Sequence, residues 1–368
     1  MKILFICGSA EPGKDGVGDY TLRLAAELVR QGHAVKVISL NDKFIKTNLN
    51  DSLYKDNIVI NVLRLSYLAA WTERTAAAKN LINDFNPDWI SLQYVPFSFN
   101  DKGLPFNLGT KLKNMGGERH WHIMFHELWG GINNSKVSTL KSTIYNFIQK
   151  KCVLYNLNSI KPALITTSIA VYKASLKKYE VAILPLFSNI TFSGKIPVNK
   201  DDFIKVVHFG TFSGDLAEFN TQLLWLRNIG VKMSKKIIFT SAGNGGQFKL
   251  PSLIMAKSIF NEENISDLGL LSSSKISDVL SKSDIGISRA DGLLWGKSGT
   301  TMAMLEHGLP VVLKGKREEL NNLGSSFNYE LQLFFPDDTF NVLPQKKEAV
   351  NALPKIALQL VELYKHTK

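Results

Sequence analysis

Short apolar runs alternate with helix-period segments along most of the chain. Ile3-Leu4-Phe5-Ile6 is an uninterrupted apolar run, the pattern of a strand covered on both faces. A glycine-rich stretch from Gly8 to Gly18 follows. Leu22, Ala25, Ala26 and Val29 then recur at helical spacing, and Gly32 stands where a helix-ending glycine belongs. Val35–Leu40 is the next strand. Strand, helix and strand within 45 residues make a parallel βαβ unit with a right-handed crossover. The pattern predicts a helix over Ala69–Phe85, a turn at Asn86-Pro87-Asp88 and a strand at Trp89–Gln93. Further strands are expected at His122–Phe125, Ala163–Thr167 and Val181–Leu184.

Residues 187–203 mix Ser, Asn, Gly, Pro and Asp without a period, which reads as a linker. The alternation then restarts. Strands are expected at Lys205–Phe209, Lys236–Ser241, Ile285–Ser288 and Val311–Leu313, and helices near 216–228, 274–283 and 299–307. Lys346–Tyr364 is amphipathic. The expected organisation is a first domain over 1–190, a linker over 191–203, a second domain over 204–345 and an amphipathic helix over 346–368. Both domains read as Rossmann-like, doubly wound α/β layers facing each other across a cleft, with ligands at the carboxyl ends of the strands.

Composition fits a packed protein: 45% of the 368 residues are apolar and 21% charged, which excludes disordered, collagen-like and coiled-coil chains. Two cysteines, Cys7 and Cys152, are too few for a disulfide framework and point to a reducing compartment. The opening apolar run is too short for a signal sequence, and no run approaches a membrane span; a cytoplasmic location is expected. Charge changes the picture more. The chain is +12, and residues 101–200 hold 14 basic against 4 acidic side chains. A basic face on the first domain is expected, with Lys111, Lys113, Lys150, Lys151, Lys173, Lys177 and Lys178 contributing beside the apolar Ile144, Phe147 and Ile148. An anionic membrane surface, the inner face with a lipid-linked acceptor, suits that mixture. No recognition motif for nucleic acid accompanies the charge.

Three motifs fall short of a function. Gly8 to Lys14 fits the G-x-x-x-x-G-K of a phosphate loop, but Asp15 stands where Ser or Thr would bind magnesium. Gly16-x-Gly18 lacks the third glycine of a dinucleotide fingerprint, and Asp42 is the one candidate for its acidic partner. His120, His122 and His126-Glu127 lie at strand spacing but complete no metal motif, and no metal is expected. The strongest region is 284–313. Gly296-Lys297-Ser298-Gly299-Thr300-Thr301 opens a short helix with small residues beside a cation, a start that lets main-chain N–H groups approach a diphosphate. Glu306, near the far end of that helix, could accept from the paired hydroxyls of a ribose.

These residues resemble glycosyltransferases of the two-Rossmann (GT-B) fold, and most of all the large retaining family 4. Gly16-Val17-Gly18-Asp19-Tyr20 with Gly32-His33-Ala34-Val35 is similar to that family's first loop and helix. Asn86-Pro87-Asp88 before Leu92-Gln93-Tyr94 resembles its next landmark. His126 sits where the family often has a histidine facing the transferred sugar. Leu184-Pro185, Val206-Val207-His208-Phe209-Gly210 and Glu306 with Gly308-Leu309-Pro310-Val311 follow in the family's order. Two features depart from it. Ser298 stands where the first glutamate of E-x7-E falls, and Thr211-Phe212 replaces the Arg and Lys that follow the first strand of the second domain.

The resemblance implies an enzyme of the hexosyltransferase type, serving polysaccharide or related glycoside synthesis. It would move a sugar from a nucleotide diphosphate sugar to a glycan, lipid-linked or small-molecule acceptor with retention, without metal or cofactor. Catalysis is expected to involve His126, Glu127 and Lys297. Donor-side candidates are Gly210, Thr211, Gly243, Asn244, Leu270, Arg289, Lys297, Ser298, Gly299, Thr300, Thr301 and Glu306. Acceptor-side candidates are Gly16, Val17, Gly18, Tyr20, Gln93, Tyr94 and Trp129. The alternatives are a nucleotide-sugar epimerase of the same fold and a transferase-like subunit that binds without catalysing.

Overall fold

The apolar runs become strands, and each amphipathic segment lays its apolar side on them. A computed structural model describes residues 1–132, 140–192, 202–320, 327–339 and 344–367. The chain divides into two units: Met1–Leu184 with Leu353–Lys368, and Pro185–Ala352. The division departs from the sequence reading at two places. Residues 185–190 belong with the second unit, where Phe187, Ser188 and Ile190 are buried, and the C-terminal helix belongs with the first. Residues 193–201 of the expected linker lie outside the described residues.

In the first unit β1 (Lys2–Cys7) leads into α1 (Gly16–Arg30), β2 (Ala34–Asp42), β3 (Leu49–Lys55), β4 (Ile58–Ser66), α2 (Trp71–Phe85), β5 (Trp89–Tyr94), α3 (Pro96–Phe99), α4 (Leu108–Gly116), β6 (His120–Phe125), α5 (Leu140–Ile160), β7 (Leu164–Thr167), α6 (Ala170–Ser175) and β8 (Ala182–Ile183). The sheet order is β3-β4-β2-β1-β5-β6-β7-β8. Every pairing is parallel except β3 with β4, which form a hairpin. Asp56 and Asn57 turn that hairpin at φ 48° and 64°, a geometry that matches the twist of the strands it joins. The hairpin, α4 and α5 are elements the apolar pattern does not predict.

Helix α1 shows how the sequence fixes an element. The Asp15 carboxylate accepts from the N–H groups of Val17 (2.9 Å) and Gly18 (2.8 Å), and the last turn closes with His33 N–H on Leu28 and Gly32 N–H on Val29. Asp15 therefore fills the helix start where a phosphate loop would hold its anion. Asp42 is spent as well. It is buried and accepts from Ser9 Oγ and Ser39 Oγ, each at 3.0 Å, and from Arg64 Nε at 2.9 Å. Burial, the largest single influence, pushes its pKa up, but the hydrogen bonds from Arg64, the Phe44 N–H and Ser39, with the Arg64 charge, together outweigh this and hold the carboxyl below its ordinary range. Such a carboxylate is a structural anchor and not a ribose ligand. Cys7 and Cys152 are buried thiols.

In the second unit β9 (Phe203–Thr211) is followed by α7 (Leu216–Lys232), β10 (Lys236–Gly245), α8 (Lys249–Phe260), β11 (Ile265–Asp267), α9 (Ser273–Lys282), β12 (Ile285–Asp291), α10 (Gly299–Glu306), β13 (Val311–Lys314) and β14 (Leu333–Phe334). The order is β11-β10-β9-β12-β13-β14, all parallel. Ile204, Val206, Leu223, Leu226, Phe239 and Ile287 fill its core. The last helix, α11 (Leu353–His366), packs in the first unit, with the Tyr364 ring stacked on Trp89 at 4.4 Å.

Candidate functional site

Each sheet reverses its winding beside its first strand. In the first unit this happens between β1 and β5, and in the second between β9 and β12. Loops leaving the carboxyl ends of those strands part to opposite faces and open a crevice there.

In the second unit the crevice is floored by glycine. Gly210 at the end of β9 has φ +105° and Gly243 at the end of β10 has φ +107°, backbone that L side chains rarely adopt. A Cβ on Gly243 would lie 3.2 Å from Gly210 Cα, and one on Gly210 would lie 2.7 Å from Thr300 Cγ2. The start of α10 thus sits directly against two strand ends stripped of side chains. Ser298 caps that helix, its hydroxyl accepting from Thr301 N–H at 3.3 Å. A serine at this position holds the helix start; the first motif glutamate has no counterpart here. A Cβ on Gly299 would meet nothing within 4 Å, so the first turn of α10 is open. Thr211, Asn244 and Leu270 are exposed at the same edge, and Lys297 is half-buried just before the cap.

Two donor-side candidates do other work. The Thr301 side chain is buried and shares a 2.7 Å hydrogen bond with Ser288. The Glu306 carboxylate is only 5% exposed, and its Oε1 accepts from the main-chain N–H of Ser188 at 2.6 Å. A carboxylate offers about four acceptor sites, so Ser188 does not exhaust it.

A small pocket beside the crevice brings Arg289 together with Lys314, Ser213, Glu218 and His208. His208 stacks on Phe212 at 3.8 Å, and its buried Nδ1 has no hydrogen-bond partner among the described residues. Burial, with Arg289 adding to it, lowers its pKa to about 3. Lys314 and His208 were not legible as site residues: Lys314 ends an apolar strand without a motif, and His208 stands inside β9, within the run 206–210, with nothing to mark it as a ligand.

In the first unit, the sequence-predicted residues divide. Gly16, Val17 and Gly18 open α1, and a Cβ on Gly18 would lie 2.4 Å from the Ser9 carbonyl oxygen. The loop after β1 is therefore pressed onto the helix start. Tyr20 is buried with its ring edge-on to His126 at 4.8 Å. Gln93 is buried and its Oε1 meets His126 Nε2 at 2.9 Å. Tyr94 is a correction: it belongs to the core, against Phe125 and Phe99, because neighbouring strand residues point to opposite faces. Glu127 is exposed, and Trp129 lies under Lys150 at 5.3 Å.

The three histidines near β6 do not make a metal site. His120 is exposed beside Trp89, and both nitrogens of His122 are taken by Ser91, Tyr364 and Thr166. Among the described residues no group of three His, Cys, Asp or Glu side chains could hold a metal ion.

No family model matches the chain, and no curated protein does. Solved structures do. Sucrose-phosphate synthase from Thermosynechococcus elongatus superposes over 100% of this chain and 92% of its own, with 14% identity and a TM-score of 0.61. The chain has the GT-B fold. HepE of Anabaena, solved with UDP and glucose, matches over 100% of this chain and 92% of its own at 14% identity and TM-score 0.55. A Listeria monocytogenes protein assigned as a UDP-N-acetylglucosamine 2-epimerase matches over 98% and 88% at 13% identity and TM-score 0.50. Likeness at these identities speaks for the GT-B fold and not for one chemistry within it.

Proposed function

We propose that the chain is a glycosyltransferase of the family 4 type, which takes a nucleotide diphosphate sugar as donor and a glycan, lipid-linked or small-molecule acceptor. The observation that carries this reading is the Gly210–Gly243–Thr300 contact, a side-chain-free floor against a helix start. A diphosphate placed there meets main-chain N–H groups and the positive end of the helix dipole. Arg289, Lys297 and Lys314 are the cations at hand for the charge that develops on the leaving diphosphate, in place of the Arg and Lys missing after β9. With those cations the reaction is read as independent of metal. Glu306 is the candidate for the ribose hydroxyls, shared with Ser188. His126 and Glu127 are read as serving the transferred sugar and the acceptor hydroxyl. The stereochemical outcome follows the resemblance, retention, although Ser298 supplies no carboxylate at the first motif position.

The test is turnover. The purified chain, given UDP-, GDP- and ADP-sugars with glycan acceptors, is expected to release one nucleoside diphosphate for each glycoside formed. Interconversion of the nucleotide sugar without glycoside formation would establish the epimerase instead. Nucleotide binding without either product would leave a binding subunit.

An acceptor at an anionic membrane surface is part of the proposal. Leu140, Ile144, Phe147 and Tyr155 recur along α5 and are all exposed, Leu140 by 78%. Lys141, Lys150 and Lys151 are exposed on the same helix. Apolar side chains in the headgroup region with lysines among anionic lipids are the pattern of a helix that lies on a membrane, each lysine contributing about 1 kcal/mol. Of the other expected lysines, Lys173, Lys177 and Lys178 are exposed, whereas Lys111 lies over Trp71 and Lys113 pairs with Glu118 at 2.8 Å. No helix among the described residues is long and apolar enough to cross a membrane. Flotation with phosphatidylglycerol-containing vesicles is expected to carry the chain at low salt, and Phe147→Asp should abolish this. A chain that stays behind at low salt contradicts the surface role.

A further inference from the structure

A line of hydrogen bonds behind His126 fixes which of its nitrogens carries the proton. Ser91 and Gln93 share one face of β5, and β6 places His122 opposite Ser91 and Met124 opposite Gln93. From His126 Nε2 the line runs 2.9 Å to Gln93 Oε1. It continues from Gln93 Nε2 2.8 Å to Ser91 Oγ, and from there 2.8 Å to His122 Nδ1. His122 Nε2 lies 2.8 Å from Thr166 Oγ1, which in turn lies 2.9 Å from Met124 Sδ. The Tyr364 hydroxyl joins at His122 Nδ1, at 2.9 Å.

The far end of the line sets its polarity. The Thr166 hydroxyl has one proton, and at 2.9 Å from a thioether it must be aimed at the sulfur, since two facing lone pairs would repel at that distance. Thr166 therefore accepts from His122 Nε2–H. His122 Nδ1 then accepts, and the hydroxyls of Ser91 and Tyr364 both lie within reach to donate to it. Ser91 Oγ in turn accepts from the Gln93 amide nitrogen, so the amide oxygen faces His126. An amide oxygen only accepts, and His126 Nε2 must be the donor. The orientation of the Gln93 amide follows from the network as a whole. Burial lowers the pKa of His122 and of His126 to about 3, so both rings are neutral. His126 Nδ1 keeps its lone pair and makes no hydrogen bond among the described residues.

We propose that Gln93 is a positioning residue that locks His126 as the Nε2–H tautomer, so that Nδ1 can only accept and the substrate group it meets is a hydroxyl rather than a carboxylate or phosphate. This rests on the transferase reading for what meets Nδ1, though not for the tautomer itself. A neutral acceptor pairs with a sugar hydroxyl and faces a uronate or phosphate oxygen lone pair to lone pair. The donor sugar is accordingly uncharged.

The test is ¹⁵N NMR of the full chain labelled at histidine, at pH 7.5, with His126 assigned by its loss in His126→Asn. The expected spectrum shows Nε2 protonated and Nδ1 unprotonated. Gln93→Leu is expected to mix the two tautomers and lower kcat at least tenfold while nucleoside diphosphate affinity stays within twofold. A wild-type His126 protonated on Nδ1, or Gln93→Leu spectra unchanged at His126, overturns the lock. UDP-glucuronate turned over as fast as UDP-glucose overturns the hydroxyl preference. A chain without transferase activity that still shows the Nε2–H tautomer would fail the functional reading and leave the lock standing.

Discussion

Lowering the pH from 7.5 to 5.0 is expected to cost the first unit about 4 kcal/mol of stability, roughly a quarter to four-fifths of what holds a domain together. The cause lies in His122 and His126. Both are buried, and burial puts their pKa at about 3 in the folded chain, against an ordinary value near 6.5 when unfolded. A base whose folded pKa is lowered binds more protons unfolded than folded. Its stability is fully present above about pH 6.5 and drains away as pH falls toward 3. Each histidine then loses about 2 kcal/mol by pH 5.0. Asp42, held below its ordinary range, adds to the loss only at still lower pH, whereas Asp15, raised by burial, acts in the opposite direction and offsets part of it. In the second unit His208 acts in the same direction for the same reason, and His307, also lowered by burial, adds to it. Urea unfolding followed by circular dichroism at the two pH values checks this. Equal midpoints would mean that the rings are hydrated or charged in the folded chain.

Much of the architecture was legible because the parallel strands are covered on both faces. Ile3–Ile6 and Val311–Leu313 are continuous apolar runs, and Val206–Phe209 is broken only by His208; runs of that kind have few other uses. The β3–β4 hairpin was not legible in the same way. Strand β3 is largely open to solvent, as are Tyr54 and Val59 at the turn, and the apolar pattern of the mostly buried β4 is interrupted by Asn61 and Arg64, so no long apolar run announces them. The signal that could have found it is Asp56-Asn57 between two alternating stretches. Helices α4 and α5 escaped for a related cause: α5 carries apolar residues on its outer side as well as its inner one, which blurs a 3.6-residue period.

The candidate site divides similarly. The small residues at the start of α10 point to an anion because few other constraints place Ser-Gly-Thr-Thr after a strand. Gly210 and Gly243 could be suspected from the sequence, but their contact joins residues 33 positions apart and appears only in the fold. Tyr94 illustrates the opposite error. It adjoins Gln93 in sequence, yet one step along a strand moves a side chain to the other face. The line through Ser91, His122 and Tyr364 could not be read at all, because its members come from β5, β6 and the last helix of the chain.

Gly299→Asp is expected to weaken nucleoside diphosphate binding by ~100-fold without destabilising the fold. The two effects should separate because they draw on opposite sides of the same physics. A new Cβ at Gly299 meets nothing within 4 Å, so the side chain enters open space. A carboxylate in the first turn of α10 complements the helix dipole and is neutral to mildly stabilising for folding. The same carboxylate faces the diphosphate across a few ångströms, and like charges there repel by about 3 kcal/mol near a protein surface, which is the expected factor. A variant such as Gly243→Val would confound this, since it forces φ +107° on a branched residue and crowds Gly210.

Calorimetric titration of UDP, GDP and ADP into the wild-type chain and into Gly299→Asp tests the donor site most directly. The expected result is that at least one of the three binds the wild type, and that its affinity falls ~100-fold in the variant while the melting temperature holds. Failure of all three to bind the wild-type chain, or equal binding by the two proteins, would contradict a diphosphate seated on the start of α10.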